Sequence, residues 1–296
     1  MFAKFKSFLK KLIIKNKFIK YQNPYFIGTE IKNINYAIET KQLIGPGNFI
    51  EKCEKLLEKQ LSCKKALLTA SGTDAIEMAC LLAGFKPGDE VLIPSFNFPS
   101  SATSILRCGA KPVFINIDSS DMNISMKNIE KSVNVKTKGI IIVHYAGLPA
   151  PMSEIIQFAN ARNLIIIEDA AQAIYSKYKN KYLGTFGHFG IFSFHQTKNI
   201  FCGEGGALII NQEDDIARAN IIREKGTNRN DFTKGIVSKY SWIDIGSSFL
   251  PSSLQASFLY AQLSEGLVIN NKRREIFNNY HNFFTKLINN YNITIP

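Results

Sequence analysis

The sequence predicts an α/β fold, a mainly parallel, doubly wound sheet with helices on both faces. Three observations lead there. Several runs of strand length are continuously apolar and β-branched, as in "GIIIVHY" (139–145) and "NLIIIEDA" (163–170), so both faces of such a strand are covered. Helical text separates them, as in "MSEIIQFANAR" (152–162). Right-handed crossovers then wind the helices onto both faces, with ligands expected at the carboxyl ends of the strands.

Taken in order, "KKALLTA" (64–70) reads as a strand, followed by a helix from Thr73 to about Gly84. "DEVLIPS" (89–95) is a strand, "SATSILRCG" (101–109) a helix and "KPVFINI" (111–117) a further strand. "GIFSFH" (190–195) closes the series of strands, and "GEGG" (203–206) leads into another apolar run. After about Gln212 the text turns helical, through "EDDIARANIIREKG" (213–226) to a long helical stretch from Ser252. The domains expected are a basic extension over 1–22, a large α/β domain over 23–265, and a long helix with the start of a small domain over 266–296.

Bulk properties narrow the classes. A chain of 296 residues with 45% hydrophobic and 20% charged residues has ample material for a core. Its five cysteines are an odd number without CxxC spacing, which reads as reduced packing residues rather than a disulfide frame or zinc site. Four scattered histidines form no HExxH pair. The net charge of +12 is concentrated at the start, where residues 1–20 hold seven lysines and no acid. Phe5, Leu9, Leu12 and Ile13 share one helical face there, with lysines opposite. A solvated extension and a weak anchor to anionic lipid both fit residues 1–20. The apolar runs are too short for a signal-peptide core or a membrane span, so a cytoplasmic enzyme, at most peripheral to the inner membrane surface, is expected. The rest of the excess is spread along the chain, which argues against nucleic acid as a partner.

The strand ends carry the chemistry. In "TASGTDAIEMA" (69–79), Gly72 and Thr73 follow a strand and open a helix, which suits either a routine cap or a phosphate held by free backbone N–H groups. "IIIEDAAQA" (165–173) ends a buried strand with Glu168 and Asp169, which could cap a helix or hold a proton on a heterocyclic nitrogen. "PSFNFPS" (94–100) places Phe96 and Phe98 where they could stack on a flat ring or pack in the core. Lys198, in "SFHQTKNIFCGEGGALII" (193–210), is costly to bury as an ammonium unless it snorkels or reacts. Together, a lysine, an acid for a ring nitrogen, a phosphate cradle and an aromatic plate are the set that pyridoxal 5'-phosphate requires.

The motifs "SGTDA", "PGDEVLIPSFNF", "EDAAQA", "FSFHQTKN", "GEGGALI" and "LQAS" resemble the DegT/DnrJ/EryC1/StrS family of sugar aminotransferases, from about Pro24 to the end. The resemblance implies the type I fold of aminotransferases dependent on pyridoxal phosphate. "VHYAG" (143–147), "IIREKGTNR" (221–229) and "DIGSSFLPSSLQAS" (244–257) are most similar to the branch that forms dTDP-4-amino-4,6-dideoxygalactose. By position, Lys198 resembles the lysine that bonds the cofactor and Asp169 the partner of its ring nitrogen. Gly72, Thr73 and Ser193 would hold the phosphate, Phe98 would lie over the ring, and Gln172 would face the phenolic oxygen. Ser248 stands where most members carry an asparagine, a departure shared with the named branch. Asn228, with Arg223, Lys225 and Arg229, matches a region that reaches the neighbouring subunit's site, so a homodimer with shared sites is implied.

The resemblance also implies L-glutamate as donor and a 4-keto-6-deoxy nucleotide sugar as acceptor, in surface polysaccharide (including lipopolysaccharide) synthesis. Another keto nucleotide sugar is the alternative within this chemistry. Members generally continue past the segment matching "NITIP" into a small domain that helps close the site, so this domain is expected to be incomplete here. A catalytically impaired binding or regulatory relative is the rival class. The presence of Lys198 and Asp169 argues against it, and Lys198 also argues against a dehydrating branch that carries histidine at that position.

Overall fold

A computed structural model describes residues 23–41, 43 and 48–288. The basic amphipathic stretch and the "NITIP" segment lie outside the described residues.

Helices α1 (Glu30–Glu39) and α2 (Asn48–Leu61) come before the first strand, β1 (Lys65–Thr69). Helix α3 (Gly72–Leu82) leads to β2 (Glu90–Pro94), α4 (Ser100–Arg107) to β3 (Lys111–Ile115), and α5 (Met126–Ser132) to β4 (Thr137–Val143). Helix α6 (Met152–Asn160) precedes β5 (Ile165–Asp169), and a two-stranded hairpin, β6 (Lys177–Tyr178) and β7 (Lys181–Tyr182), precedes β8 (Phe189–Ser193) and β9 (Gly206–Ile210). Helices α7 (Asp215–Arg223), α8 (Arg229–Thr233), α9 (Ser253–Ser264) and α10 (Gly266–Thr285) complete the described chain.

Seven strands form one sheet in the order β1-β9-β8-β5-β4-β2-β3. All run the same way except β9, which is antiparallel to both β1 and β8. The doubly wound, mainly parallel sheet is therefore as expected, with one reversed strand that the apolar text did not distinguish.

Strand alternation explains why these runs are apolar throughout. Ile140 and Ile142 enter the core beneath α2, α6 and α9, while Ile141 between them enters the core beneath α3, α4 and α7. Ile166 and Ile167 divide in the same way, as do Ala207 and Leu208. Burying each such side chain stabilises the fold by about 1.5–3 kcal/mol, so neither face tolerates a polar residue in mid-strand. Polarity returns only where the strands end, and the parallel run brings those ends to one edge.

Candidate active site

Five chain segments meet along the carboxyl edge. Strand β1 ends at Thr69 and α3 begins at Gly72, with Ser71 as its cap: the Ser71 hydroxyl accepts from the Asp74 N–H at 3.0 Å. The Gly72 and Thr73 N–H groups lie in the first turn, where a helix offers them no acceptor of its own. A Cβ on Gly72 would stand 2.9 Å from the Ser193 Cβ, so glycine is what lets the helix start touch the end of β8. Gly206, the last glycine of "GEGG", is tighter still: a Cβ there would collide with the Ser71 carbonyl oxygen. The two glycines thus join the helix start to both strands beside it.

Lys198 is not at the strand end itself. Strand β8 stops at Ser193, and Lys198 lies in the loop joining β8 to β9. That loop is pinned by Phe194 N–H to the Gly205 carbonyl (2.8 Å), Gln196 N–H to that of Gly203 (2.9 Å) and Lys198 N–H to that of His195 (2.9 Å). Lys198 is half-buried, which answers the cost of desolvation by leaving it reach into a cavity rather than the core.

That cavity, of about 440 Å³, is lined by Gly72, Thr73, Phe98, Asp169, Ser193 and Lys198, among others. A second hollow of about 210 Å³ is lined by Phe98, Tyr145, Asp169, Gln172 and Lys198. Seven of the nine residues expected at the cofactor therefore gather around one lysine. Asn228 and Ser248 do not. The Asn228 side chain instead ties its own loop, donating to the Lys239 carbonyl (2.9 Å) and accepting from the Ser241 N–H (2.7 Å). Ser248 is exposed and bridges Glu224 through its backbone. Arg223 departs furthest from the expected cationic loop: it is buried and paired with Glu54. Arg229 pairs with Glu224 at 3.3 Å.

Electrostatics set the two central groups apart from ordinary side chains. Burial pushes the Asp169 carboxyl above the usual aspartate range, while the Ala171 N–H, the Lys198 charge, the nearby His144 imidazole and the Ser101 hydroxyl pull it back. Its Oδ1 accepts from the Ala171 N–H at 3.1 Å and its Oδ2 from the Ser101 hydroxyl at 3.4 Å. Burial likewise holds the Lys198 amine below the usual lysine range, and the Asp169 charge opposes part of that shift. Phe98 is 73% exposed at the cavity wall, an apolar face turned to solvent rather than packed in the core. Gln172 accepts from the Ala146 N–H at 2.8 Å through Oε1, which turns its amide N–H groups away from that contact.

Sequence reasoning missed Ser101 and His144. Ser101 reads as a helix residue and His144 as the tail of an apolar strand, and only the fold brings them beside Asp169.

A sequence profile of the DegT/DnrJ/EryC1/StrS aminotransferase family matches residues 25–296. The chain belongs to that family. It is 33% identical over 273 residues to the GDP-perosamine synthase of Escherichia coli O157:H7, covering 92% of this chain and 73% of that protein. It is 30% identical over 277 residues to the spore coat polysaccharide biosynthesis protein SpsC of Bacillus subtilis, covering 92% and 71%. The crystal structure of an aminotransferase from Psychrobacter cryohalolentis superposes with a TM-score of 0.77 at 29% identity, over 82% of this chain and 62% of that one. The chain thus spans between about three fifths and three quarters of the length of these relatives.

The fold is that of the type I aminotransferases, and pyridoxal 5'-phosphate is the family's cofactor. The residues present fit it. The close approach at Gly72 clears a helix start for a phosphate, and the buried carboxylate of Asp169 faces the same cavity as Lys198 and the open ring of Phe98.

Proposed function

We propose that the chain moves an amino group from L-glutamate to a 4-keto-6-deoxy sugar carried on a nucleoside diphosphate, in the synthesis of a surface polysaccharide. The observation that carries this is the shared cavity of Lys198, Asp169 and the Gly72–Thr73 helix start. Pyridoxal phosphate, when bound, supplies an aldehyde that exchanges amino groups and a ring that accepts electrons. Lys198 would bond that aldehyde and, once displaced by an amine, move a proton as general base, a task its lowered basicity suits. Asp169 would hold the proton on the ring nitrogen. Gly72, Thr73 and Ser193 would anchor the phosphate, Phe98 would cover one face of the ring and Gln172 would donate to its phenolic oxygen.

The nucleotide is the finer question. The "VHYAG" and "DIGSSFLPSSLQAS" segments favour dTDP, whereas the similarity to a GDP-perosamine synthase favours GDP. The enzyme would act in the cytoplasm as a homodimer, with Asn228 and Ser248 serving the neighbouring subunit's cofactor. Among the described residues no helix is long and apolar enough to cross a membrane. The test is to incubate the protein with pyridoxal phosphate, L-glutamate and 4-keto-6-deoxy sugars on dTDP or GDP, and to identify products by mass and NMR. An amino sugar from one of the two supports the reading. Protein that loads the cofactor but aminates neither sugar defeats it.

A further inference from the structure

Glu168 and Asp169 are neighbours on β5, so strand alternation sends their side chains to opposite faces. Asp169 meets the cavity. Glu168 is fully buried on the other side, where its carboxylate meets four donors. Oε1 accepts from the Phe186 N–H (2.6 Å) and the Gly187 N–H (2.7 Å), and Oε2 from the Gly184 N–H (2.9 Å). The fourth partner is His144 Nε2, at 2.9 Å from Oε2. Four donors fill the accepting capacity of a carboxylate, so its orientation is determined without any ligand.

His144, itself fully buried, follows the end of β4 and reaches Asp169 as well. Its backbone N–H donates to the Asp169 carbonyl at 3.0 Å. Its Nδ1 accepts from the Ala150 N–H at 3.4 Å, which assigns the ring proton to Nε2 and makes His144 the donor to Glu168. The amides that Glu168 holds belong to the turn entering β8, the strand that ends at Ser193 and leads to Lys198.

Resting on the aminotransferase reading above, we propose that His144 and Glu168 are a positioning pair, which fixes Asp169 from behind the sheet edge and keeps it in register with β8. Glu168 holds the imidazole and the 184–187 turn, and His144 holds the Asp169 backbone and presents its ring dipole to the carboxylate. Neither side chain lines the cavity, so the pair acts on the cofactor only through Asp169. The other groups around that carboxylate are Lys198 across the cavity, the Ser101 hydroxyl and the Ala171 N–H.

The test reads the cofactor's visible absorption, not turnover. Wild type, His144→Phe and His144→Gln are loaded with pyridoxal phosphate and titrated with pH, and their thermal midpoints are measured alongside. Phenylalanine keeps ring bulk but donates nothing to Glu168, whereas glutamine keeps a donor. A ring nitrogen less firmly protonated leaves the Lys198–cofactor linkage more basic. The absorption midpoint should therefore rise by about half a pH unit or more in His144→Phe and return toward wild type in His144→Gln. In an Asp169→Asn background, His144→Phe should move the midpoint no further. If His144→Phe does not fold, Glu168→Gln replaces it, with the same rise expected. An unchanged absorption midpoint, even with a lower thermal midpoint, reduces the pair to packing and overturns the proposal. So does an equal shift in the Asp169→Asn background. A wild-type protein with no visible band defeats the functional reading, and the proposal with it.

Discussion

Lys198 and Asp169 are each pushed by burial toward their neutral form, and each is partly restored by the other's charge. For the amine the sign is direct. A lowered pKa means that the neutral, nucleophilic form appears at lower pH than for a lysine in water. Trace acetylation of the protein without cofactor, followed across pH, should show the Lys198 peptide half-reactive at a lower pH than peptides with the exposed Lys179 or Lys272. The midpoint is compared, not the yield, so accessibility does not confuse the result. Equal midpoints would mean that the cavity leaves the amine unperturbed. With cofactor, borohydride should fix a pyridoxyl group on this peptide and on no other. Asp169→Asn keeps a hydrogen-bonding side chain but removes the charge. The chemical step should slow on the order of 10³-fold, as for loss of a strong electrostatic contact, with a smaller loss of cofactor affinity. Near-normal turnover would make the carboxylate a structural group.

The start of α3 makes the next prediction. Gly72→Ala places a methyl 2.9 Å from the Ser193 Cβ, between two parts of the backbone that cannot both yield. Overpacking of this kind costs about 1–3 kcal/mol. The thermal midpoint should fall and the affinity for pyridoxal phosphate, read by fluorescence, should fall with it. A variant with unchanged cofactor affinity would remove Gly72 from the phosphate site. Which elements could be read from the sequence follows from similar local causes. Strands such as Val91–Ile93 and Ile165–Ile167 announce themselves because burial on both faces demands unbroken apolar runs. The same run reads alike in either direction, so the reversal of β9 was hidden. Helix α2 is masked in the sequence although Phe49, Ile50, Cys53, Leu57 and Leu61 form a helical stripe, because buried Glu54 interrupts its apolar face to pair with Arg223. The hairpin at 177–182 turns on Lys179 and Asn180, both at positive φ, in a stretch too polar to suggest strands. At the site, residues that touch the cavity were readable as motifs. His144, Ser101 and the paired state of Arg223 depend on contacts across the sheet that no motif encodes.

A shared-site homodimer remains a proposal, and the exposed apolar side chains beyond α8 support it. Ile236, Trp242, Ile243 and Ile245 are each more than half exposed, Trp242 by 78%, in the loop that Asn228 staples. Such a surface is costly for a lone chain and suited to a second copy. Mixing decides. Lys198→Ala should be inactive, and an Asn228→Ala, Arg229→Ala double variant should be severely impaired. After dissociation and reassociation together, activity should recover to roughly a quarter of wild type by statistical pairing, because heterodimers then carry one undamaged site. No recovery, with a monomer by light scattering, would leave each chain with its own site.

The reversed strand β9 also sets an order of assembly. Leu67 pairs with Leu208, across 141 residues, and β9 is the strand that joins β1 to the rest of the sheet. On a ribosome adding ~5–20 residues per second, β1 therefore waits roughly 7–28 s for its partner. Contacts so distant in the chain form late and slowly. During refolding, the ability to capture pyridoxal phosphate should accordingly lag behind the recovery of far-ultraviolet dichroism. The young chain would pass through a stage in which its helices exist and its vitamin-derived cofactor has nowhere to dock.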